Sequence, residues 1–207
     1  MIAILDYGVG NLFSLTCSFR AIGKEAVVTK DPARIRAAER LILPGVGAFA
    51  DAAKKLRDSG LDVLLKEEVA KGKPLLGICL GMQLLFEKSY EYGEHEGLGL
   101  IKGSILPFAE HIGEEYKIPQ IGWNRLHLTQ SIPLWKYVNE GDFVYFVHSY
   151  FAPSSDAYTA AEAEYGIPFS AAVAKGNVYG CQFHPEKSGN VGLSILRGFC
   201  ETEGRVC

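Results

Sequence analysis

The sequence lacks the cysteine pattern that builds disulfide frameworks or zinc sites. Its five cysteines are odd in number and widely spaced, and no two of them form a C-x-x-C pair. This spacing argues against a disulfide-stapled secreted fold and against a cysteine-based metal site. We therefore expect reduced thiols in a cytoplasmic protein, with no metal or other cofactor. The cysteines are Cys17, Cys79, Cys181, Cys200 and Cys207.

Long apolar runs and a strong net charge are also missing. No uninterrupted apolar stretch approaches the ~20 residues that a membrane-spanning helix needs. The chain begins with a strand-like run, residues 1–6, instead of a basic leader followed by an apolar stretch and a cleavage site. The formal net charge of -3 is small and the 21 basic residues are scattered, so we expect neither nucleic acid nor a membrane as a partner.

What the sequence does contain is enough apolar material for one core. Of its 207 residues 48% are hydrophobic, and the chain has no low-complexity tract, no Pro/Ser-rich linker and no internal repeat. A chain of this length can bury most of its apolar surface in one unit. We predict a single domain over residues 1–207.

The first half of the chain alternates short apolar runs with amphipathic segments. The apolar runs predict strands at residues 2–5, 26–29, 40–43 and 74–78. The amphipathic segments predict a helix from Asn11 that stops at Gly23, a short helix after Asp31, and a helix over 49–72 with a break near Gly60. Because strands that alternate with helices pair in parallel through right-handed crossovers, we predict an α/β sheet covered on both faces.

After about residue 100 the pattern changes to strands and turns. Strands are predicted at 104–108, 120–128, 143–151, 158–164, 170–174 and 178–183, and a last helix at 189–201. We expect these strands to bring antiparallel pairing. The predicted fold class is therefore three-layer α/β, with a mixed, mainly parallel sheet, helices on both faces, and antiparallel additions in the second half.

The stretch GICLGMQ, residues 77–83, places a cysteine between two glycines where a buried strand meets a helix. A nucleophile on such a turn needs small neighbours, because larger side chains would collide there. Cys79 would stand at a helix N-terminus, where exposed N–H groups favour the thiolate. By itself the motif also fits a buried structural cysteine in a glycine-flanked turn. The helix is expected to continue through Met82, Leu84, Leu85 and Phe86.

A thiol nucleophile needs a base, and the base needs an orienting group. His184 follows a predicted strand and precedes Pro185, which favours extended backbone. Residues i and i+2 of extended backbone project to the same side, so Glu186 would accept the Nδ1–H of His184 and stabilise the imidazolium. The alternative is a strand-end histidine followed by a solvated glutamate. The histidines that we interpret as solvated are His95, His111 and His127.

The turn Pro44-Gly45-Val46-Gly47 follows the third predicted strand. Ligands of open α/β sheets bind at the carboxyl ends of the strands, and glycines let a backbone N–H turn toward a bound acyl group. The N–H of Val46 and the N–H of Leu80, the residue after the candidate nucleophile, would together form an oxyanion hole. The alternative is an ordinary tight turn.

Further sequence blocks accompany these motifs along nearly the whole chain. The blocks are DYGVGNLFS, LPGVGAF, GICLGMQLLFEKS, EGLGLIKG, IPQIGWN, YFVHSYF and QFHPEKSG. With them the sequence resembles the class I glutamine amidotransferases, which are marked by G-x-C-x-G together with H-P-E. Within that family it is most similar to the glutaminase subunits of imidazole glycerol phosphate synthase. The chain departs from their pattern at Gln120, where the block P-H-x-G-W-N has histidine.

The resemblance implies a role for each candidate residue. Cys79 would attack the carboxamide carbon of L-glutamine, and His184, oriented by Glu186, would protonate the departing ammonia and then activate water. Gln83 and Glu91 would contact the substrate, Glu91 at its α-ammonium group. The residues expected near the α-carboxylate are Gly47, Ser149 and Tyr150.

The glycine-flanked turn at Cys79, which we call the elbow, the triad Cys79-His184-Glu186 and the turn at residues 44–47 together extend over nearly the whole chain. We therefore expect the ammonia to react on another protein. The resemblance implies a heterodimer with a (β/α)8-barrel cyclase subunit, which uses the ammonia to form imidazole glycerol phosphate and an aminoimidazole carboxamide ribotide in histidine biosynthesis. Because an ammonia exit must lie close to Cys79, we expect docking over the carboxyl edge of the sheet. The expected contact residues are Asn11, Trp123, Tyr145 and Lys187.

Three other functions compete with this interpretation. One is a glutaminase subunit for another pathway, such as pyridoxal phosphate or anthranilate synthesis, against which the IGWN and HPEKSG blocks argue. A second is a cysteine hydrolase on a similar scaffold, which would have its histidine close behind the nucleophile, whereas His184 lies far downstream of Cys79. The third is a non-catalytic, flavodoxin-like binding module, which leaves the elbow unexplained.

Overall fold

The computed structural model describes residues 1–155 and 157–202, and its first half has the predicted order of strands and helices. Strands β1 to β4 are Ile2–Leu5, Ala26–Thr29, Arg40–Leu43 and Leu75–Ile78. Helices α1 to α4 are Leu12–Ala21, Pro32–Ala37, Phe49–Asp58 and Leu61–Ala70. Apart from their ends, these elements lie where the sequence predicts them.

Local sequence signals set two of the helix boundaries. The Asp31 side chain accepts the N–H of Ala33 at 2.9 Å, and Pro32 occupies the first helical position, so α2 begins where its cap and its proline place it. Gly60 has a φ of 69°, in the left-handed region that glycine adopts without strain. It separates α3 from α4 and is the predicted break.

The second half of the chain is richer in strands. Helix α5 spans Leu80–Leu84, and the last helix, α6, spans Gly189–Cys200. Strands β5 to β14 are Phe86–Ser89, His95–Glu96, Ile101–Pro107, Gln120–Arg125, His127–Leu128, Phe143–His148, Tyr150–Phe151, Thr159–Tyr165, Ile167–Lys175 and Val178–Cys181. Short 3₁₀ turns occupy Phe108–Glu110, Pro133–Trp135 and Pro185–Lys187. Among the helices of the described ranges, none combines the length and hydropathy that a membrane crossing requires.

The central sheet has eight strands in the order β2-β1-β3-β4-β14-β13-β12-β9. The pairs from β2 through β14 are parallel, and β13, β12 and β9 are added antiparallel. The pairing of β14 with β4 sets Cys181 opposite Ile78. The residues that follow these two strands therefore leave the sheet side by side at its carboxyl edge.

Two apolar cores cover the two faces of the central sheet. Ile4 and Ile42 belong to the core formed with α1 and α6, whereas Leu5 and Leu43 belong to the core formed with α2 to α5. Successive strand residues point to opposite faces, so strands that are buried throughout need a cover on both. The predicted three-layer α/β class is confirmed.

The helix after Cys79 is shorter than the sequence suggests. It ends at Leu84, and Phe86 begins strand β5 instead of lying on the apolar face of the helix. The carbonyl oxygen of Leu84 accepts the N–H of Leu98 at 2.8 Å, so backbone from a distant loop takes the place of the next helical turn. The prediction of a helix through Phe86 is wrong.

Part of the predicted antiparallel pairing lies outside the central sheet. Strands β8 and β10 form a separate two-stranded ribbon, and β5, β6, β7 and β11 form a four-stranded sheet. The predicted strand 120–128 is interrupted at Leu126, and the predicted strand 143–151 is interrupted at Ser149. The second of these breaks lets β10 join the ribbon while β11 pairs with β7.

Candidate active site

Cys79 occupies a strained turn between β4 and α5. Its φ of 53° lies in the left-handed region, which costs a residue with a side chain about 1–3 kcal/mol. A Cβ atom on Gly77 would lie 2.6 Å from the Gly81 oxygen, and a Cβ atom on Gly81 would collide with the carbonyl oxygen of Leu43. Space therefore requires glycine at both positions. The strand-to-helix turn that the sequence indicates is present.

The Cys79 thiol is buried among polar neighbours. Its Sγ lies 3.9 Å from the carbonyl oxygen of Val147, which can accept the S–H, and 3.7 Å from Nε2 of Gln182, which donates to the sulfur. His184 lines the same cavity as the thiol, and the interaction with Cys79 raises the pKa of its ring. The backbone N–H of Cys79 donates to the Cys181 oxygen at 2.8 Å and ties the turn to β14.

His184 and Glu186 form a buried pair. Nδ1 of His184 donates to Oε1 of Glu186 at 2.8 Å, and the two side chains are only 3% and 1% exposed. His184 has the expected extended backbone, but Glu186 lies in the 3₁₀ turn Pro185–Lys187. The side chains therefore meet through a turn and not, as expected, through an extended segment. Since Nδ1 is engaged, Nε2 of His184 is the nitrogen left for the thiol.

The pKa of His184 is raised to about 9. Burial by itself lowers the pKa of the ring, but the interactions with Cys79 and Glu186, and the negative charges that these groups carry when ionised, outweigh burial. The imidazole therefore holds a proton readily when the sulfur is a thiolate. That is the charge distribution of a thiol nucleophile paired with its base.

A cavity of about 340 Å³ opens at the thiol. Cys79 and His184 line it, together with Val46 and Leu80 of the predicted oxyanion hole. All the residues expected to bind substrate line it as well: Gly47, Gln83, Glu91, Ser149 and Tyr150. The fold thus brings these distant residues to one concave site whose size suits a small molecule.

Gln83 is buried, and its amide nitrogen is committed to the protein. Its Nε2 donates to the Tyr150 carbonyl oxygen at 3.1 Å and to Oε1 of Gln182 at 3.0 Å. With both N–H groups used, only the oxygen of the Gln83 amide remains for a ligand. A substrate contact at Gln83 is therefore one in which the ligand donates the hydrogen bond.

Glu91 reaches the start of helix α3. Its Oε2 accepts the N–H of Phe49, the first residue of the helix, at 2.7 Å. Burial raises the pKa of the Glu91 carboxyl, while the bond from Phe49 acts in the opposite direction. An ammonium group bound beside Glu91 would favour the carboxylate form.

The turn after β3 lies against the elbow, as an oxyanion hole at this place requires. A Cβ atom on Gly45 would lie 2.7 Å from the nitrogen of Gly81, so only glycine permits the approach. Tyr7 fixes the turn by donating to the Pro44 oxygen at 2.6 Å. Val46 is exposed, and it is not among the described non-glycine residues that have a positive φ.

An exposed apolar surface on the β8–β10 ribbon adjoins the cavity, and we call it the ribbon surface. Trp123 packs edge-on against Tyr145 with 5.9 Å between ring centroids, and Nζ of Lys187 lies 5.8 Å from the Tyr145 centroid. Trp123 is 52% exposed, and Lys187 also lines the cavity. Three of the four expected interface residues therefore form one surface. The fourth, Asn11, is half-buried just before α1.

The sequence reasoning missed two buried residues at the site, His148 and Gln182. His148 lines the cavity, and its Nδ1 donates to the Tyr150 oxygen at 2.8 Å. Burial lowers its pKa to about 4 despite that bond, and the charge of His184 adds to the effect. The sequence signal that could have identified them is a polar residue within or directly after a run of apolar strand residues, as His148 and Gln182 are. The histidines interpreted as solvated all lie outside the cavity lining: His95, His111 and His127.

Solved structures with a similar fold exist at low sequence identity. A crystal structure of a glutamine amidotransferase has a TM-score of 0.75 at 19% identity and covers 97% of both chains. PurLQS from Thermotoga maritima has a TM-score of 0.73 at 20% identity and covers 96% of both chains. At these identities the likeness concerns the fold alone.

Sequence comparison finds much nearer relatives. A family model described as glutamine amidotransferase class-I matches residues 3–201. The chain is 51% identical over 203 residues to the imidazole glycerol phosphate synthase subunit HisH of Wolinella succinogenes, covering 97% of this chain and 99% of that protein. It is 49% identical over 201 residues to the subunit HisH of Lactococcus lactis, covering 97% of this chain and 98% of that protein.

Proposed function

This chain belongs to the class-I glutamine amidotransferase family, and from that premise we propose that it is the glutaminase subunit of an imidazole glycerol phosphate synthase. It hydrolyses L-glutamine to L-glutamate and ammonia, and the ammonia passes to a cyclase subunit in histidine biosynthesis. One observation carries the proposal: Cys79, on its strained turn, lines one cavity with His184, whose Nδ1 donates to Glu186 at 2.8 Å. The HisH relatives, about half identical over nearly their whole length, support the pathway.

In the first half of the reaction the Cys79 thiolate attacks the carboxamide carbon of glutamine, while the former thiol proton is on His184. The N–H of Leu80 and the N–H of Val46, once that peptide turns toward the cavity, stabilise the tetrahedral oxyanion. His184 gives its proton to the amide nitrogen and the C–N bond breaks. Ammonia departs and a γ-glutamyl thioester remains on Cys79.

In the second half, water attacks the thioester carbon and Nε2 of His184 takes a proton from it. The C–S bond breaks, glutamate leaves, and the thiolate and imidazolium are restored. Glu186 keeps Nδ1 of His184 protonated in both halves, so the proton moves only at Nε2.

The substrate lies in the cavity with its charged end at Glu91. The Glu91 carboxylate pairs with the α-ammonium group, and the oxygen of the Gln83 amide accepts a hydrogen bond from the substrate. The α-carboxylate lies near the backbone of Gly47, Ser149 and Tyr150. What supports this arrangement is that all of these groups line one cavity together with Cys79.

The cyclase partner, a (β/α)8 barrel, docks on the ribbon surface to form a heterodimer. Exposed aromatic rings beside a cation are typical of protein interfaces, and Trp123, Tyr145 and Lys187 supply both. Lys187 reaches from this surface to the cavity, so ammonia released at Cys79 has a short way to the partner. We propose that Asn11 also contacts the partner, at the periphery of the interface. We place the complex in the cytoplasm, where thiols stay reduced.

Labelling with 6-diazo-5-oxo-L-norleucine tests the glutaminase assignment. This glutamine analogue alkylates the nucleophile of a glutaminase, so mass spectrometry should find one adduct, on the peptide that contains Cys79. Cys79→Ser should remove the adduct. Cys200→Ser, which alters a buried thiol outside the cavity lining, should leave it unchanged. Absence of label on Cys79 in the presence of the cyclase would contradict the assignment.

The pathway has its own test. Purified cyclase subunit of imidazole glycerol phosphate synthase should raise the glutaminase rate, and the synthase subunits of pyridoxal phosphate or anthranilate synthesis should not. Pull-down with the chain as bait, followed by identification of the bound protein, gives the same answer independently. Recovery of a different synthase subunit would assign the chain to another pathway.

A further inference from the structure

We propose that Gln182 donates a hydrogen bond that stabilises the thiolate of Cys79, and that Gln83 sets the orientation of the Gln182 amide. The inference rests on the proposed role of Cys79 as nucleophile. Gln182 directly follows β14, is fully buried, and places Nε2 at 3.7 Å from the Cys79 sulfur. It reaches this position because β14 pairs with β4, the strand that leads into the elbow.

The neighbours of Gln182 decide which end of its amide faces the sulfur. Nε2 of Gln83 donates to Oε1 of Gln182 at 3.0 Å, which leaves the Gln182 nitrogen for the sulfur. Gln83 is oriented in turn by the Tyr150 carbonyl oxygen, which accepts from its Nε2 at 3.1 Å. That same oxygen accepts from Nδ1 of His148 at 2.8 Å. Because the Tyr150 carbonyl oxygen can only accept, it determines the donor and the acceptor of each of these hydrogen bonds.

The donor favours one protonation state of the sulfur. A thiol can give its proton to the Val147 oxygen, 3.9 Å away, and does not depend on a donor. A thiolate has lost that proton, and the N–H of Gln182 supplies a hydrogen bond to its negative charge. The same bond would stabilise the sulfur again when it leaves the carbonyl carbon during thioester hydrolysis.

Gln182 differs from the titratable groups around the sulfur because it is neutral at every pH. His184, held by Glu186, interacts with the sulfur, and the charge of Cys79 acts on Tyr7 and Cys181. Other titratable groups line the same cavity: Glu91, Tyr92, His148, Tyr150 and Lys187. Substitution of Gln182 leaves all of these groups in place. A changed pH dependence of thiol reactivity would therefore report the lost hydrogen bond.

The test is the rate at which iodoacetamide alkylates Cys79 in the full chain, followed by mass spectrometry of the Cys79 peptide between about pH 5 and pH 10. The thiolate displaces iodide from carbon, so the rate follows the thiolate fraction. Gln182→Met keeps the side-chain length and removes the N–H. We expect its profile to move to higher pH, with a rate about tenfold lower at pH 7 and an unchanged alkaline limit. Gln182→Glu, which keeps an acceptor for Gln83, should move the profile at least as far.

Controls separate a lost hydrogen bond from a disturbed fold. Cys181→Ala alters the neighbouring buried side chain outside the amide network and should leave the profile in place. Thermal melting checks that each variant is folded, and if Gln182→Met does not fold, Gln182→Leu, which also removes the N–H without adding a charge, decides. An unchanged profile, or a fall in rate that is equal at every pH, would overturn the proposal. Since alkylation needs neither glutamine nor a cyclase, a shifted profile in a chain that hydrolyses no glutamine would remove the proposed function and leave this inference standing.

Discussion

The turn between β4 and α5 both strains the backbone of Cys79 and positions its sulfur atom. Its left-handed φ of 53° is accommodated only because glycines flank the turn. The cost of about 1–3 kcal/mol is offset by the buried strand that leads into the turn and by the bond from the Cys79 N–H to the Cys181 oxygen. A structural cysteine needs no such conformation, so the outlier points to a chemical role.

The proposed roles predict which reactions the triad variants lose. Cys79→Ser and His184→Ala should lower glutamine-dependent synthesis by at least about a thousandfold, because they remove the nucleophile and the proton carrier. Synthesis from added ammonium salts should persist, since the acceptor chemistry lies on the cyclase. Glu186→Gln should be milder than either. Steady-state assays of the complex with each nitrogen source measure this, and loss of the ammonia-dependent rate as well would refute the division of labour.

The lowered pKa of His148 predicts that the protein loses stability at acidic pH. Its pKa is lowered to about 4, so between pH 6.5 and pH 4 the unfolded chain binds a proton that the native protein does not, and stability falls as the pH drops. From pH 7.5 to pH 5 this group should reduce the free energy of unfolding by about 2 kcal/mol. His148→Asn keeps a donor toward Tyr150 and should remove that part of the pH dependence. Urea unfolding at the two pH values measures it.

The other buried histidine does not confound the measurement. The pKa of His184 is raised to about 9, so its contribution to stability is complete below pH 6.5 and is lost as the pH rises through 9. Its loss begins inside the range that tests His148 and opposes the effect of His148, but it is shared by wild type and His148→Asn and therefore cancels in the difference between the two proteins. Equal acid sensitivity of wild type and His148→Asn would show that the acid loss comes from other groups.

At the scale of single elements, we expect the conformation of the turn after β3 to limit the glutaminase activity. Val46 has no left-handed strain in this structure. Turning the Gly45–Val46 peptide so that its N–H faces the substrate would move φ of Val46 toward positive values, where a β-branched residue is strained by about 1–3 kcal/mol. Strain of this size would keep the isolated subunit nearly silent until docking offsets it.

Val46→Gly should therefore raise the basal glutaminase rate of the isolated subunit, by about 5- to 150-fold for a term of this size. The same change should shrink the activation by the cyclase and its acceptor ligand. Val46→Ala is the matched control, because it keeps a Cβ atom without the branch and should raise the rate less. Glutaminase assays with and without cyclase and ligand measure both effects. An unchanged basal rate with full activation would place the restraint in another element.

At the scale of the whole molecule, the candidate catalytic residues and the proposed docking surface lie at one edge of the central sheet. The turns after β3, β4 and β14 meet there, and the ribbon surface adjoins the cavity through Lys187. The β8–β10 ribbon is not part of the central sheet. Phe146 of the ribbon packs in the core, whereas Trp123 is exposed and packs edge-on against Tyr145 beside Lys187. In the proposed complex, the partner would dock directly beside the site where ammonia is released.

Reversal of the Lys187 charge tests that arrangement. Lys187→Glu should weaken activation of the glutaminase by the cyclase about tenfold, because the substitution reverses a charge at the proposed docking surface. The KM for glutamine should change less. Lys66→Glu, an exposed lysine on α4 outside the cavity lining, should affect neither quantity. Equal losses in activation and in glutamine binding would argue against docking at the ribbon surface.

The sequence alone determined what depends on near neighbours in the chain. The glycines around Cys79 predict the elbow, because the steric requirement acts within two residues of it. Pro185 predicts the extended backbone of His184, and Gly60 predicts the break between two helices. Alternation of strands and helices predicts the parallel half of the sheet. Each of these follows from covalent geometry and local sterics.

Only the tertiary structure decided which distant groups meet. It ended α5 at Leu84 by giving that carbonyl a partner in Leu98, and it separated the ribbon from the central sheet. It also placed Gln182 and His148 in the hydrogen-bond network around the thiol. The physical reason is that a single hydrogen bond contributes only about 1 kcal/mol net, so the packing of whole strands and helices, and not the local pattern, selects its partner.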